Sequence, residues 1–178
     1  MFTKTCLQLS LLLVCNSVMA ATDSLSLDLQ PWRAINDGVM GGVSRGQMIQ
    51  TEDGLRFQGF LSLENNGGFA SVRRSLEINL EGVTGIRIRV RGDGRTYQMR
   101  IRQDESYDNI AWRMEFSTNK QWQTIELSFA DFEPVWRGRP VKGAGPVTGK
   151  KIRQIGFLLA DATQAPFGLD ISAIEFLQ

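Results

Sequence analysis

The chain has 178 residues, with 20 Lys and Arg against 19 Asp and Glu, two cysteines and no histidine. Without histidine there is no Ser-His-Asp or Cys-His nucleophilic site and no imidazole-bound zinc, copper or iron. The balanced charge gives no overall attraction to nucleic acid or to an anionic membrane surface. Any chemistry would have to use carboxylates, lysine, tyrosine or an oxygen-bound cation, so we expect a binding protein with no cofactor or metal rather than an enzyme.

The first 20 residues have the features of a cleavable export signal. Lys4 is their only charged residue, an apolar run extends from Leu7 to Val18, and Val18-Met19-Ala20 provides a cleavage pattern. The run is too short for a membrane span, which needs about 20 residues. Lipid attachment at Cys15 is disfavoured because the bulky Val14 precedes it. We therefore expect a periplasmic or secreted protein, in which residues 21–178 form one domain without cysteine or a membrane span.

Residues 32–46, WRAINDGVMGGVSRG, are predicted to form an ordered loop. Alternating leucines within residues 21–30 predict a strand before it. Asn-Asp-Gly is turn chemistry, and Gly38, Gly41 and Gly42 are expected to provide backbone angles that other residues avoid. The alternative is a flexible linker, but five large apolar residues in fifteen positions are unusual for a linker.

A second glycine-rich turn follows the first predicted hairpin. Strands are predicted at residues 47–51 and 55–63, joined by a Glu-Asp-Gly turn. The next turn, Asn65-Asn66-Gly67-Gly68, leads into a run of small residues. The absence of bulky side chains there indicates that another backbone segment or a ligand approaches closely, with Gly67 and Gly68 as structural positions.

Residues 86–102 are predicted to form a hairpin that carries a face of arginines. Apolar and arginine residues alternate on both sides of a Gly-Asp-Gly-Arg turn. If the two strands pair, the pleat places five arginines on one side: Arg87, Arg89, Arg91, Arg100 and Arg102. Acids on the next strands, such as Glu115 and Glu126, would neutralise them. Otherwise the face would bind carboxylates, phosphates or acidic sugars through planar guanidinium groups.

The remaining chain also predicts strands, at residues 109–117, 122–128, 151–160 and 167–176. Ser128 is expected to cap one helical turn over residues 129–132. Residues 133–149 contain three prolines and four glycines and are predicted to be a long surface loop that displays Trp136, either as a contact site or over the edge of the core. Short strands with glycine-rich turns predict an all-β fold, a single β-sandwich of the jelly-roll type.

Four blocks of the chain resemble the complex I intermediate-associated protein 30 family. They are NDGVMGGVSRG (36–46), FQGFLSLENNGGFASVR (57–73), IRVRGDGRTYQMRIR (88–102) and PFGLDISAIEF (166–176), with WRGR (136–139) as a shorter match. The resemblance implies a galactose-binding-like jelly roll and the role of a non-catalytic assembly factor for respiratory complex I. The family's mitochondrial members act in the matrix, whereas this chain is expected to be exported.

Three functional interpretations follow. In the first, the protein binds an envelope protein through the 36–46 loop, the arginine face and the Trp136 loop. In the second, it is a carbohydrate- or small-anion-binding module that uses Asp37, Arg100, Tyr107 and Trp112. In the third, Asp37 and Glu115 form a hydrolytic carboxylate pair. The candidate binding residues are Asn36, Asp37, Met40, Arg87, Arg89, Arg100, Tyr107, Trp112 and Trp136, with no catalytic residue assigned.

Overall fold

A computed structural model describes residues 23–178, and the expected export signal lies outside them. The described chain consists of short strands and four single turns of 3₁₀ helix. In chain order the strands are β1 Asp23–Ser24, β2 Arg33–Ala34, β3 Arg45–Thr51, β4 Gly54–Leu61, β5 Ala70–Ser75, β6 Gly85–Gly92, β7 Thr96–Arg102, β8 Ala111–Ser117, β9 Gln123–Ser128, β10 Glu133–Trp136, β11 Arg139–Pro140, β12 Gln154–Leu159 and β13 Ala165–Leu177. None of the helices in this part of the chain is long and apolar enough to span a membrane.

The strands form two antiparallel sheets that pack face to face as a jelly-roll β-sandwich. The first sheet has the order β3-β4-β13-β6-β9, with β1 also paired to β13. The second sheet has the order β11-β10-β8-β7-β12-β5-β2. The predicted all-β fold is therefore confirmed, as are the hairpin of β3 and β4 and the capped turn, where Ser128 Oγ accepts a hydrogen bond from the Ala130 amide.

The core lies between the two sheets and is built from the inward residues of each alternating strand. Phe57 in β4, Tyr97 in β7 and Phe157 in β12 are fully buried there. Phe57 packs edge-on against Phe167 with a ring-centroid distance of 4.9 Å. Each such side chain contributes about 1.5–3 kcal/mol on burial, so the outward faces are left to polar and charged residues.

The structure corrects the predicted arginine hairpin, because β6 and β7 belong to different sheets. β6 pairs with β13 and β9, whereas β7 pairs with β12 and β8. The turn between β6 and β7 crosses from one sheet to the other, with Asp93 accepting hydrogen bonds from the Arg95 and Gly168 amides. Arg87, Arg89 and Arg91 therefore lie on the opposite outer face of the sandwich from Arg100 and Arg102.

Two other predicted segments differ in part from the structure. In residues 21–30, only Asp23–Ser24 forms a described strand, although Leu25 and Leu27 still pack against the core. Residues 133–149 are not wholly a loop, because β10 and β11 form a small hairpin that adds to the edge of the second sheet beside β8. The prolines in this segment led to the prediction of a loop, but edge strands such as these tolerate proline.

Candidate binding surfaces

The loop at residues 36–46 is held by a buried carboxylate. Asp37 is 0% exposed, and its Oδ1 accepts a hydrogen bond from the Ser44 amide at 2.9 Å. Its Oδ2 accepts from Ser44 Oγ at 2.5 Å, from the Gly68 amide at 2.7 Å and from the Phe69 amide at 3.3 Å. We call this arrangement the Asp37 clamp, because one side chain joins the two glycine-rich loops. The segment predicted to be an ordered loop is thus joined by side-chain hydrogen bonds to the second glycine-rich turn.

Asn36 and the surrounding glycines complete the Asp37 clamp. Asn36 Nδ2 donates to the Gly46 carbonyl, and its Oδ1 accepts from the Ser71 amide. A Cβ atom on Gly42 or Gly67 would lie 2.4 or 2.6 Å from the Asp37 carboxylate group, so only glycine fits at either position. Asn36 and Asp37 therefore hold the loop and do not present their side chains to a ligand.

Of the other three glycines predicted as structural, two have positive φ angles and one does not. Gly41 has φ 90° and Gly68 has φ 130°, a region that favours glycine. Gly38, also predicted as a structural glycine, has no positive φ, and a Cβ atom there would have no neighbour within 4 Å. The structure therefore gives no conformational reason for glycine at position 38.

The stability that Asp37 supplies should depend on pH. Burial acts to raise the pKa of Asp37, but the hydrogen bonds from Ser44, Gly68 and Phe69 outweigh it and hold the pKa below its ordinary value. A lowered pKa in the folded state stabilises the protein above the unfolded-state pKa of about 3.9, and this contribution is lost as pH falls through the folded pKa. We expect the difference in melting temperature between wild type and Asp37→Asn to be constant near neutral pH and to shrink below about pH 4. A difference that stays constant down to the acid limit would contradict this assignment.

Exposed apolar side chains lie beside the Asp37 clamp. Val39 and Met40 are 58% and 60% exposed on the 3₁₀ turn that the clamp holds. The Ser62 amide donates to Ser44 Oγ at 3.0 Å, which places the end of β4 next to this turn. We define the apolar patch by its five exposed members, Val39, Met40, Val43, Phe60 and Leu63. Exposed apolar side chains grouped in neighbouring segments are typical of interaction sites on soluble proteins.

The arginines on the outer face of the first sheet have partners. Arg87 contacts Glu126 at 2.7 Å and Glu175 at 3.1 Å, and these hydrogen bonds raise the pKa of Arg87. Arg91 contacts Asp170 at 3.0 Å. Arg89 lies 4.7 Å from the Trp122 ring centroid. On this face the interpretation of arginines neutralised by acids is correct for Arg87 and Arg91.

The outer face of the second sheet carries a different set of arginines in one transverse row. Arg33 on β2 lies opposite Arg73 on β5, and Gly156 on β12 separates Arg73 from Arg100 on β7. Arg100 in turn lies opposite Arg113 on β8. We call Arg33, Arg73, Arg100 and Arg113 the arginine row. Sequence reasoning selected only Arg100 among them, because the other three lie in segments that only the folded sheet brings together.

Few carboxylates neutralise the arginine row. Among residues 23–178, Arg113 alone of the row has a carboxylate oxygen within 4.0 Å, that of Glu133 at 3.3 Å. Arg100 donates from Nε and Nη2 to the neutral Gln98 Oε1. Burial, followed by the charges of Arg113, Arg102 and Arg73, lowers the pKa of Arg100 to about 10. Arg100 stays protonated at neutral pH, and the charges of Arg113 and Arg73 on either side of it in the row repel it.

The three aromatic candidates, Tyr107, Trp136 and Trp112, differ in their exposure and in what they contact. Tyr107 is 59% exposed, and its ring centroid lies 5.9 Å from the guanidinium carbon of Arg73. Trp136 is 46% exposed, donates to Asp108, and has Arg137 at 5.0 Å from its ring centroid, so it does not cover the core. Trp112, by contrast, is buried in the core and donates to the Gly145 carbonyl. It has no ring face to offer a ligand.

Comparison with known proteins assigns the chain to a family. The family model described as Complex I intermediate-associated protein 30 (CIA30) matches residues 21–171. The chain belongs to the CIA30 family. The mouse mitochondrial Complex I intermediate-associated protein 30 is 28% identical over 170 residues, covering 83% of this chain and 52% of the mouse protein. An uncharacterized protein of Schizosaccharomyces pombe is 27% identical over 150 residues, covering 73% of this chain and 68% of the yeast protein.

This CIA30 chain thus spans about half the length of its mouse relative. Its fold is similar to that of carbohydrate-binding modules. The family 11 module of Clostridium thermocellum in complex with a β-1,3-1,4-mixed-linked tetrasaccharide has a TM-score of 0.66 at 15% identity, covering 89% of this chain and 96% of the module. The same family's module from the cellulase Lic26A-Cel5E has a TM-score of 0.63 at 16% identity, with 89% and 96% covered. This likeness establishes the galactose-binding-like fold.

Proposed function

We propose that this protein is a non-catalytic interaction protein of the assembly-factor type, which binds a protein partner in the cell envelope. The observation that carries the proposal is the apolar patch, presented on a turn that the Asp37 clamp holds in one conformation. A rigid apolar surface binds a partner without the entropy loss of ordering a mobile loop. The mouse relative's name associates it with intermediates of complex I, which supports a protein as the ligand.

The chemistry of the carboxylates supports a non-catalytic role. A hydrolytic pair of Asp37 and Glu115 would require two carboxyl groups facing one cleft. Asp37 instead accepts four hydrogen bonds and has no exposed surface. The Asp37 carboxylate therefore serves to hold the loop. The envelope location rests on the export signal expected at residues 1–20, and differs from the mitochondrial location named for the mouse relative.

Met40→Asp should weaken partner binding without unfolding the protein. Met40 is exposed, so its replacement leaves the core intact, whereas a carboxylate within the apolar patch must lose its hydration when a partner covers it. Affinity capture from envelope extracts should recover one stoichiometric partner with the wild-type protein. We expect the same partner, purified separately, to bind the variant at least about tenfold more weakly.

Ile78→Asp provides the matched control. Ile78 is also an exposed apolar residue, but it lies in the connection before β6, near the opposite end of β13 from the apolar patch. This variant should bind the partner like the wild type. Equal binding by wild type and Met40→Asp would contradict the proposed surface, as would equal losses in the two variants.

Glycan binding is the second candidate function, favoured by a specific feature of the second sheet. Its outer face carries a cavity of about 40 Å³ lined by Arg73, Arg100, Arg102 and Gln154, with the exposed Tyr107 ring beside Arg73. Polar side chains combined with an exposed aromatic ring suit a sugar. The solved module of similar fold was found with a tetrasaccharide. If a thermal-shift screen shows no rise in melting temperature with any neutral or acidic sugar, glycan binding is excluded.

A further inference from the structure

The arginine row contains one position without a side chain. Gly156 lies directly between Arg73 and Arg100, and all three backbones are aligned across β5, β12 and β7. Neighbouring strands are about 4.8 Å apart, so the two arginines flank a gap about 10 Å wide at the backbone. The cavity in this face is lined by these three residues. The gap thus has a glycine floor and a cationic side chain on each wall.

The two wall arginines keep donors that the described protein does not use. Arg100 Nη1 donates no hydrogen bond to any residue within 23–178, since Gln98 takes only Nε and Nη2. Arg73 makes only long contacts, from Nη1 to the Tyr107 carbonyl at 3.3 Å and to Gln154 Oε1 at 3.5 Å. Neither has a carboxylate within 4.0 Å in that range of the chain. Arg73 and Arg100 therefore each keep N–H groups that can donate to an added acceptor.

The charges around the gap favour an anion. Arg102 lies one pair along β7, beside Gln154, and adds a third cation to the cavity lining. Two acids lie nearby and offset part of this charge, although neither has an oxygen within 4.0 Å of a guanidinium nitrogen of Arg73 or Arg100 among residues 23–178. Glu115 accepts from Gln98 Nε2 at 3.0 Å, and Asp104 accepts from Asn109 at 2.8 Å on the loop after β7. Like charges held together on a sheet destabilise the fold unless a counter-charge binds between them.

We propose that the gap over Gly156 binds the oxyanion group of an acidic saccharide, with Arg73 and Arg100 as its two walls. A carboxylate, sulfate or phosphate matches the planar donor array of a guanidinium group, which binds such oxygens in pairs. The exposed Tyr107 ring beside Arg73 provides an apolar face for the sugar that carries the group. This inference rests on the glycan-binding candidate and specifies the class of glycan; binding of acidic peptides is the competing outcome.

Calorimetry with matched trisaccharides tests the site directly. We expect the protein to bind a galacturonic acid trisaccharide at low ionic strength and to bind the neutral galactose trisaccharide at least about tenfold more weakly, because only the former carries carboxylates. Added salt should weaken the binding of the acidic trisaccharide. Arg100→Gln and Arg73→Gln should each reduce its affinity about tenfold or more. Arg89→Gln, which removes the same charge from the other outer face, should leave the affinity unchanged.

Melting temperatures separate binding from folding. Arg100→Gln removes one of several like charges, so its melting temperature should equal or exceed that of the wild type. Equal binding of the acidic and neutral trisaccharides would overturn the oxyanion site while leaving the glycan candidate intact; no binding of either would overturn both. An equal loss of affinity for the acidic trisaccharide in Arg89→Gln and in Arg100→Gln would also overturn the proposal. So would tighter binding of hexaglutamate than of the acidic trisaccharide. None of these outcomes bears on capture of a protein partner by the apolar patch.

Discussion

Replacing Asp37 with alanine should lower the free energy of unfolding by about 3–5 kcal/mol. The substitution leaves the amides of Ser44, Gly68 and Phe69 without their acceptor, whereas the Ser44 hydroxyl can donate to the Ser62 carbonyl at 3.1 Å. Each buried donor left unsatisfied costs about 1–3 kcal/mol, and water entering the space recovers only part of that sum. Urea denaturation followed by far-ultraviolet circular dichroism measures the change.

Two further substitutions define what the Asp37 result means. Asp37→Asn keeps the size of the side chain, but its amide NH₂ group replaces one carboxylate oxygen and faces some of the backbone and hydroxyl donors. Its free energy of unfolding should therefore lie between those of the wild type and Asp37→Ala. Asp28→Ala removes an exposed acid that accepts a hydrogen bond from Ser26, and it should change the stability by less than about 0.5 kcal/mol. An Asp37→Ala protein as stable as Asp28→Ala would show that the buried carboxylate does not hold the loops.

Gly42→Val should destabilise the protein by about 3 kcal/mol and lower its yield as a soluble product. The added Cβ would lie 2.4 Å from Asp37 Cγ and 2.5 Å from Oδ1. The carboxylate cannot move aside without breaking the hydrogen bonds that fix it, so one of the two glycine-rich loops must shift. Thermal and chemical denaturation of the purified variant measure the loss.

A double-mutant cycle tests the cause of the Gly42→Val effect. If the new side chain acts by displacing Asp37, the two substitutions together should cost less than the sum of their separate effects, by about 1–2 kcal/mol. Gly38→Ala is the control within the same turn, since it has open space and no positive φ, and it should change the stability by less than about 0.5 kcal/mol. If the effects of Gly42→Val and Asp37→Ala on the free energy of unfolding add fully, Gly42→Val does not act by displacing Asp37.

Sequence reasoning found the fold but not which strands face each other. Alternation of apolar residues and arginines in β6 and β7 correctly identified one buried face in each strand. The same alternation fits two strands that pair in one sheet and two strands in opposing sheets, because both arrangements bury the same side chains. The Gly-Asp-Gly turn did not decide between them, since Asp93 uses its carboxylate to support a crossing instead of a hairpin.

The candidate sites were predictable only where the signal was local. The clustering of glycine around Asn36 and Asp37 revealed an ordered loop, but the donors that bury Asp37 include Gly68 and Phe69, which lie more than 30 positions away. The arginine row likewise depends on the register of β5, β12, β7 and β8. Side-chain partners set by sheet register leave no pattern in a single sequence.

The proposed interaction surface requires residues 36–46 to keep one conformation in the unbound protein. Amide hydrogen exchange measures this directly, through the amides of Ser44, Gly68 and Phe69 that donate to Asp37. We expect these amides to exchange at least about 1,000-fold more slowly than those of an unstructured peptide, and to lose that protection in Asp37→Ala. Exchange within about tenfold of the unstructured rate in the wild-type protein would contradict a rigid clamp and the apolar surface it presents.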